Sequence, residues 1–535
     1  MSALGIVRRA ALSMSTALLG CAPYAAHPVS PAHGGHPWLA ASSPHFQIVT
    51  DLDADEAESI AGELEAGLDA ISQVAFEHAR IPIEPTTVVV FKSESDFHYF
   101  RPELVAGTFF RKLPGDLEPA RFVVLYGALD PGSRISCLHE LTHDLFERNF
   151  GPAPPWLNEG WAQYYSTIAI EPHAIRVGAA LPHLTFTGDS SFFTARADDG
   201  SDVIAVPIDR VAPPSSLLSL DQLEFYRSTR VEHPTRDDRL RSLSLYLGAW
   251  AFVHMLHDGP EPYPALFKQF LERTRNSQVA VAWQATFGNL SMADLDRDFR
   301  RYLARREVAL FSYGRRTDPP TPIAERALTD ADIHVLWARL SPADDAHVLA
   351  ARQDLDEAVS AAPNAAEPRY FRGLYWLYHH QAALAESDLR AAVDLSPQDP
   401  RFLLGLATLR AQQEQNVRIQ AGDAVLQAAE PLSKLANSTL QFRALALIYA
   451  EAGDPERALA FADRSVELSP IDFAALDTRA SILAELGRAR EAVAVELRAI
   501  AFMPEGRNVP ELSEHLRAYQ VKARQTQATE HTPRK

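Results

Sequence analysis

The sequence has few cysteines, no basic excess and no long apolar run. Only Cys21 and Cys137 occur among 535 residues, so no intramolecular disulfide can form if Cys21 carries a lipid. The formal net charge is −18, which argues against nucleic acid as a partner because phosphate binding requires a basic surface. After the N-terminal segment, no apolar run is long enough to predict a transmembrane helix.

The segment 1–20 is typical of a bacterial secretion signal of the lipoprotein type. Two arginines precede an apolar stretch, 10–19, that is too short to span a bilayer. The string that ends at Cys21 resembles a lipobox, in which this cysteine is lipidated after cleavage. Leu19 is an unusual residue in that motif, so plain secretion is the alternative. Because Ala22 follows the cysteine, we expect an outer-membrane lipoprotein that faces the periplasm and meets the membrane only through its lipid.

The length of the chain predicts two or three domains rather than one core. Composition and periodicity then divide it into six segments. These are a signal at 1–20, a flexible tether at 21–44, a mixed strand and helix domain at 45–312, a linker at 313–330, helical repeats at 331–510 and a polar tail at 511–535.

The string His139-Glu140-Leu141-Thr142-His143 has the spacing of a metal site. Side chains at i and i+4 share one face of a helix, so both imidazoles can bind one ion, while Glu140 can reach a water molecule without being a ligand. Glu159, sixteen residues after His143, would complete a His2Glu set. Such a set leaves one coordination position open, which is typical of catalytic zinc. We therefore predict one Zn²⁺ per chain, with Glu140 as the general base.

The residues around this motif predict a buried helix. Apolar residues recur at helical spacing, namely Ile135, Leu138, Leu141, Leu145 and Phe146. Prolines at 152, 154 and 155 then separate this helix from a second one that carries Glu159. Cys137 would face away from the metal as a small buried residue. A solvated helix with two chance histidines would also produce the motif.

The stretch HELTH…WLNEGWAQYY resembles the gluzincin zinc metallopeptidases, and the layout of the chain resembles the bacterial peptidase-MA-like proteins. The similarity covers roughly residues 45–305. It implies an α+β zincin-like domain, in which a mixed sheet backs the active-site helix and a helical subdomain follows. It also implies that an edge strand binds the substrate backbone, with 107–111 and 121–126 as the two candidates.

The same resemblance implies a role for Tyr246, which would donate its hydroxyl to the oxyanion of the reaction. The alternative is that Tyr246 is only a core aromatic residue. Gln163 lies one turn after Glu159 and could hold a ligand histidine in place, although a plain surface glutamine would look the same. The chain has no GxMEN-like string for binding a free amino terminus, which favours an endopeptidase.

The C-terminal part shows a sequence period of about 34 residues, which is the period of tetratricopeptide (TPR) repeats. Gly453 and Gly487 are separated by this interval, whereas Pro431 and Pro470 lie further apart, which indicates an insertion in one repeat. We predict an all-α solenoid that docks a protein partner or the substrate. The small or aromatic residues expected to pack between its helices are Gly373, Ala385, Ala392, Ala446, Tyr449 and Ala458.

These features together predict a zinc metallopeptidase that hydrolyses peptides or proteins in the bacterial cell envelope. One alternative is a TPR scaffold lipoprotein with a structural or inactive zinc domain, although a scaffold would not need Glu140. Another is a zinc amidase that acts on cell-wall peptides. Residues 171–235 mix short apolar runs with turn residues, and they form either a lid over the cleft or a surface elaboration.

Overall fold

The computed structural model describes residues 26–76, 85–100, 108–110, 122–129, 131–151, 153–179, 184–186, 192–196, 203–227, 235–275, 277–305, 310–316, 322–342, 345–417, 423–503 and 510–530. The predicted signal and Cys21 lie outside these residues. Within them, every helix is too short or too polar to span a bilayer.

The strands belong to three sheets. In chain order they are β1 (Leu39–Ser42), β2 (Phe46–Thr50), β3 (Thr86–Phe91), β4 (Thr108–Phe110), β5 (Phe122–Tyr126), β6 (Ala169–Ile170), β7 (Ala174–Val177), β8 (Leu184–Phe186), β9 (Phe192–Arg196), β10 (Val203–Pro207), β11 (Phe311–Gly314) and β12 (Ala324–Ala327). The largest sheet has the order β12-β1-β2-β3-β5-β4, and the other two are β10-β9-β8 and β11-β7-β6. In the largest sheet β2, β3 and β5 run parallel, and the other neighbours pair antiparallel.

The helices divide into a first group around the largest sheet and a second group of consecutive pairs. The first group is α1 (Ala54–Ala75), α2 (Glu94–Phe100), α3 (Pro131–Phe150), α4 (Pro155–Ser166), α5 (Pro214–Leu217), α6 (Gln222–Phe225), α7 (Arg236–Asp258), α8 (Tyr263–Thr274), α9 (Val279–Phe287) and α10 (Met292–Leu303). The second group is α11 (Asp330–Leu340), α12 (Asp345–Ala361), α13 (Ala366–Tyr378), α14 (Ala382–Leu395), α15 (Pro400–Val417), α16 (Asp423–Leu435), α17 (Thr439–Glu451), α18 (Pro455–Leu468), α19 (Phe473–Glu485), α20 (Ala489–Ala501) and α21 (Pro510–Glu530).

The central strands are mostly apolar because both faces of the sheet are covered. In β3, Val88 and Val90 join the core that contains α1, α3, α4 and α7, while Val89 belongs to the opposite face. On that second face Trp337 and its neighbours in α11 pack against the sheet. Successive side chains of a strand point to opposite faces of the sheet. The helix of the HELTH motif therefore packs against one face, and the start of the second helix group packs against the other.

The mixture of strands and helices predicted from residue 45 onward is present, beginning with β2, α1 and β3. Of the two candidate edge strands, β4 lies at the end of the described sheet, whereas β5 lies between β3 and β4. Of the two candidates, the segment 107–111 is therefore the one that contains the edge strand of the described sheet.

The prediction of a flexible tether over 21–44 is wrong for its described part. Strand β1 pairs with β2 on one side and with β12 on the other. His27 reaches the second helix group, where its Nε2 lies 3.0 Å from Asp354 Oδ2. The predicted linker at 313–330 is also wrong in part, because this segment contains strand β12. Local composition did not reveal either strand, because each is stabilised by a partner that is distant in the chain.

The second helix group confirms the predicted repeat and its irregularity. Helix α17 begins at Thr439 and α19 begins at Phe473, one repeat period later, whereas α15 begins at Pro400 and so precedes α17 by more than one period. Pro431 lies inside α16 rather than at the end of a repeat, so the extra residues fall within the α15–α16 pair. The predicted small residues are buried between helices, and Gly373 leaves no room for a Cβ because Leu389 lies against it.

The prediction of a frayed polar tail at 511–535 is also wrong for most of that segment. Residues 510–530 form α21, which packs against α20. Leu512 and Tyr519 from this helix are buried in the core of the last repeats. Because only these two large apolar side chains face inward, the segment looks polar in the sequence although it covers the end of the repeat domain.

Gly160 allows α4 to pack closely against α7. A Cβ at Gly160 would lie 2.4 Å from the carbonyl oxygen of Ala249 and 2.6 Å from Val253 Cγ2. We expect Gly160→Ala to lower the free energy of unfolding by about 1–3 kcal/mol, because the helices must separate. Urea denaturation would measure this loss. The matched control is Gly62→Ala on the exposed side of α1, where a Cβ meets nothing, and a similar loss in this control would contradict the explanation.

Candidate metal centre

Two adjacent helices carry the residues of the HELTH…NEG stretch. On α3 the apolar residues Leu138, Leu141, Leu145 and Phe146 are buried, and Ile135 packs against the same core, as their spacing predicted. Pro154 precedes α4 and Pro155 is its first residue, a position where a missing backbone N–H costs nothing. Helix α4 packs against both α3 and α7, which places Glu159 beside the two histidines.

The structure brings together the three predicted ligands. One donor atom from each of His139, His143 and Glu159 lies within 4.8 Å of the others. The Nε2 atoms of the two histidines are 3.0 Å apart, and the carboxylate of Glu159 lies 3.3 Å from Nε2 of His139 and 3.8 Å from Nε2 of His143. The two histidines at i and i+4 and the glutamate from the next helix thus form a single cluster.

The electrostatics of the cluster keep its carboxylate ionised. Burial alone would raise the pKa of Glu159, but His143 and His139 outweigh it and lower this pKa to about 2. For His139, burial lowers the pKa and the adjacent Glu159 carboxylate raises it, with a net increase. For His143, burial dominates and lowers the pKa, which favours the neutral imidazole that a metal requires.

The donor set fits zinc. In a tetrahedral site with ligands at about 2.0–2.2 Å, neighbouring donor atoms are about 3.3–3.6 Å apart. The separations in this cluster are close to that range: 3.0 Å between the two Nε2 atoms, 3.3 Å from Glu159 Oε2 to His139 Nε2 and 3.8 Å from Glu159 Oε1 to His143 Nε2. Two imidazole nitrogens and one carboxylate form a mixed nitrogen and oxygen set, which zinc accepts and which magnesium and calcium do not prefer.

A hydrogen bond from His143 to Asn158 orients this imidazole, and the sequence analysis did not identify it. The Nδ1–H of His143 donates to Asn158 Oδ1 over 3.0 Å. In a neutral imidazole this bond leaves Nε2 unprotonated and directed at Glu159, which is the arrangement a metal ligand needs. Asn158 immediately precedes Glu159 in the sequence, and this position could have identified it. A polar residue next to a metal ligand on a helix can reach the other ligands of the same site.

Tyr226 is a second contributor that the sequence analysis missed. Its hydroxyl donates to Glu159 Oε1 over 2.6 Å, and burial together with this carboxylate raises the pKa of Tyr226 well above its usual value. Tyr226 follows α6 in the stretch 171–235, so at least this part of the stretch contributes to the site rather than to the surface. No periodic pattern or motif marks it in the sequence.

Glu140 and Tyr246 both lie near the cluster. Burial, followed by the charges of Glu159 and Glu140, raises the pKa of Tyr246. Tyr246 lies in the middle of α7, and its ring packs edge-on against Phe225 at a centroid distance of 5.5 Å. It is therefore both a packed aromatic residue and a hydroxyl close to two carboxylates, and its role as an oxyanion donor stays a prediction.

Gln163 and Cys137 are not among the residues whose donor atoms converge. Gln163 is buried on α4, and its Nε2 has no hydrogen-bond partner among the described residues. Asn158, rather than Gln163, makes the contact that orients a ligand histidine. Cys137 is a free, buried thiol in the core, where burial raises its pKa to about 12. A thiol in that state does not act as a metal ligand.

Neither a protein-family model nor a curated protein matches the chain. Solved structures of helical repeat proteins resemble part of it. PilF of Pseudomonas aeruginosa is 14% identical with a TM-score of 0.29, and the match covers 37% of this chain and 91% of that chain. YrrB, described as a TPR protein with an unusual peptide-binding site, is 15% identical with a TM-score of 0.28 over 32% and 84%. A thermophilic TPR protein of Thermus thermophilus is 15% identical with a TM-score of 0.28 over 36% and 97%.

These identities and TM-scores are low, so the assignment of the repeats rests on the chain's own helices. Helices α17, α18, α19 and α20 form two consecutive pairs that follow the predicted period and have packed small residues at the expected positions. The C-terminal part of the chain therefore has the paired-helix fold of TPR repeats.

Proposed function

We propose that this chain is a zinc-dependent peptidase whose TPR-type repeats dock a protein partner or the substrate. The observation that carries the proposal is the convergence of His139, His143 and Glu159 on one point, with donor atoms within 4.8 Å of one another. Two of these residues come from one helix and the third from another, so their meeting depends on the fold and not on the motif alone. The low pKa of Glu159 and the hydrogen bonds that involve Asn158 and Tyr226 support the same function.

Bound zinc would supply a Lewis acid that lowers the pKa of water and polarises the scissile carbonyl group. His139, His143 and Glu159 would hold it. Glu140 would accept a proton from the attacking water and return it to the leaving amine nitrogen. The Tyr246 hydroxyl would donate to the carbonyl oxygen as negative charge develops there.

The largest sheet offers a place for the substrate backbone. Strand β4 lies at the edge of the described sheet, and it pairs on its inner side with β5. An extended peptide would add there as a further strand and would be held by main-chain hydrogen bonds. Binding of this kind places little demand on side-chain identity, which favours cleavage within a chain over recognition of a terminus.

The experiment that tests the proposal is digestion of a mixed peptide library by the purified protein, with cleavage products identified by mass spectrometry. We expect internal cleavage that a chelator abolishes and added zinc restores. A second sample contains peptide stems from cell walls, because cleavage confined to them would indicate the zinc amidase instead. A zinc-loaded protein that cleaves neither substrate would overturn the proposal.

The second candidate function is a protein-binding scaffold with a structural zinc domain. The observation that favours it is the extent of the paired helices, which continue from α11 to α20, are followed by α21 and make up the C-terminal part of the described chain. A scaffold would still bind zinc, but its partner affinity would not depend on Glu140. Comparison of partner capture by the wild type and by Glu140→Gln, beside the digestion assay, separates the two functions.

A further inference from the structure

A second group of metal-binding side chains lies at the opposite end of the sequence. Helix α20 packs against both α19 and α21. One side chain from each helix contributes to the group, namely Asp477 from α19, Glu496 from α20 and His515 from α21. One donor atom of each residue lies within 4.8 Å of the other two. We call these three residues the cap cluster.

The central member of the cap cluster is a fully buried carboxyl group. Glu496 is 0% exposed, and among the described residues no amide, hydroxyl or cationic group donates a hydrogen bond to its oxygens, so its hydrogen-bonding neighbour is the carboxyl group of Asp477, which can donate only when protonated. Buried charged groups are strongly unfavourable unless they are paired or bind a metal ion. Burial and the neighbouring Asp477 raise the pKa of Glu496 to about 8. The carboxylate therefore requires either a proton, which it can share with Asp477, or a cation.

The two outer members leave the cap cluster open to solvent on one side. Nδ1 of His515 lies 2.8 Å from Asp477 Oδ1, and the side chains of His515 and Asp477 are 42% and 25% exposed. The two outer members of the cluster are thus accessible to an ion from solvent. Two carboxylates and one imidazole carry enough negative charge to compensate a divalent cation, and an imidazole ligand favours zinc over magnesium or calcium.

We propose that Asp477, Glu496 and His515 bind one divalent cation, with zinc the ion that suits their donors, and that this ion fastens α21 to the last helix pair. This inference does not depend on the proposed peptidase activity, because it concerns other residues and other helices.

The position of the cap cluster explains what the ion would do. A repeat domain needs a terminal element that covers its last apolar face. Helix α21 has this position, but only Leu512 and Tyr519 anchor it in the core. A cation held jointly by three helices would add a link that the unfolded chain cannot form, so its binding energy would stabilise the docked cap.

The test uses the full chain with His139→Ala and His143→Ala, which removes the first zinc site. Zinc is the probe, and metal content is measured by mass spectrometry after dialysis, with circular dichroism to confirm folding. We expect about one zinc per chain, lost on addition of either Glu496→Gln or His515→Ala. The matched control is Glu514→Gln, which removes the same charge from the exposed residue beside His515 and should keep the zinc.

Thermal unfolding gives a second readout. Zinc should raise the Tm of the parent and of Glu514→Gln by about 2–5 °C but should leave Glu496→Gln unchanged. The proposal is overturned if the parent takes up no zinc, or if Glu496→Gln keeps it. If the parent takes up no zinc, a proton shared between Glu496 and Asp477 explains how the buried carboxylate is tolerated. If the double-alanine background does not fold, the wild type replaces it, and Glu496→Gln should then hold one zinc fewer.

Discussion

Replacement of Glu140 by glutamine should reduce peptide hydrolysis by about 10²–10⁴-fold while zinc stays bound. Glu140 follows His139 on α3, and its charge contributes to the pKa shifts of His139, His143 and Tyr246, so it lies near the cluster. It is not among the three residues whose donor atoms converge. Glutamine has the same shape but cannot accept the proton of the attacking water. The variant should therefore keep its metal and its fold and lose only the chemical step.

The measurement is kcat on the best peptide from the digestion assay, together with zinc content and the Tm of the same sample. Glu58→Gln is the matched control, since it makes the same substitution at an exposed position of α1 and should leave kcat unchanged. Equal activity in Glu140→Gln and the control would contradict the role of Glu140 as the base. Loss of zinc in Glu140→Gln would instead show that this residue helps to hold the metal.

The metal site could be predicted because its information is local. His139 and His143 need only a helix to share a face, and the apolar residues around them make that helix clear. The position of Glu159 required one further step, which the prolines between α3 and α4 supply by forcing a turn. The residues that orient these ligands could not be predicted in the same way. Tyr226 reaches Glu159 from 67 residues further along the chain.

The fold, like the metal site, could be predicted where the sequence signal is local and could not where it depends on residues distant in the chain. Strands β3 and β5 contain the continuous apolar runs 88–91 and 122–125, which a local pattern can reveal. Strands β1 and β12 were missed because neither has a pattern of its own, and β12 is paired with β1 from the far side of the domain in the sequence. Helix α21 was taken for a frayed tail for a related reason, since two inward-facing residues are enough to dock it on the repeats but too few to mark a helix.

Replacement of Glu159 by alanine should remove the zinc of the candidate active site altogether. Glu159 supplies the only carboxylate among its three donors, and it is also the acceptor of the Tyr226 hydrogen bond. Without it, only the two imidazoles remain as ligands, and the site loses both a donor atom and the negative charge that Glu159 places against the cation. Substitution of the residues that orient the ligands should have a smaller effect. Tyr226→Phe and Asn158→Ala should weaken zinc binding by about 10–100-fold.

The measurement is zinc content in a Glu496→Gln background, so that the cap cluster contributes no metal and each loss can be assigned to one site. We expect about one zinc per chain in this background and essentially none after Glu159→Ala, while Glu58→Ala keeps it. Retention of zinc by Glu159→Ala would mean that the two histidines bind the ion with some other third ligand, and the His2Glu assignment would be wrong. A background protein that takes up no zinc at all would remove the basis for a peptidase. The function of the chain would then have to be sought on the TPR-type repeats, where partner capture is the assay that remains.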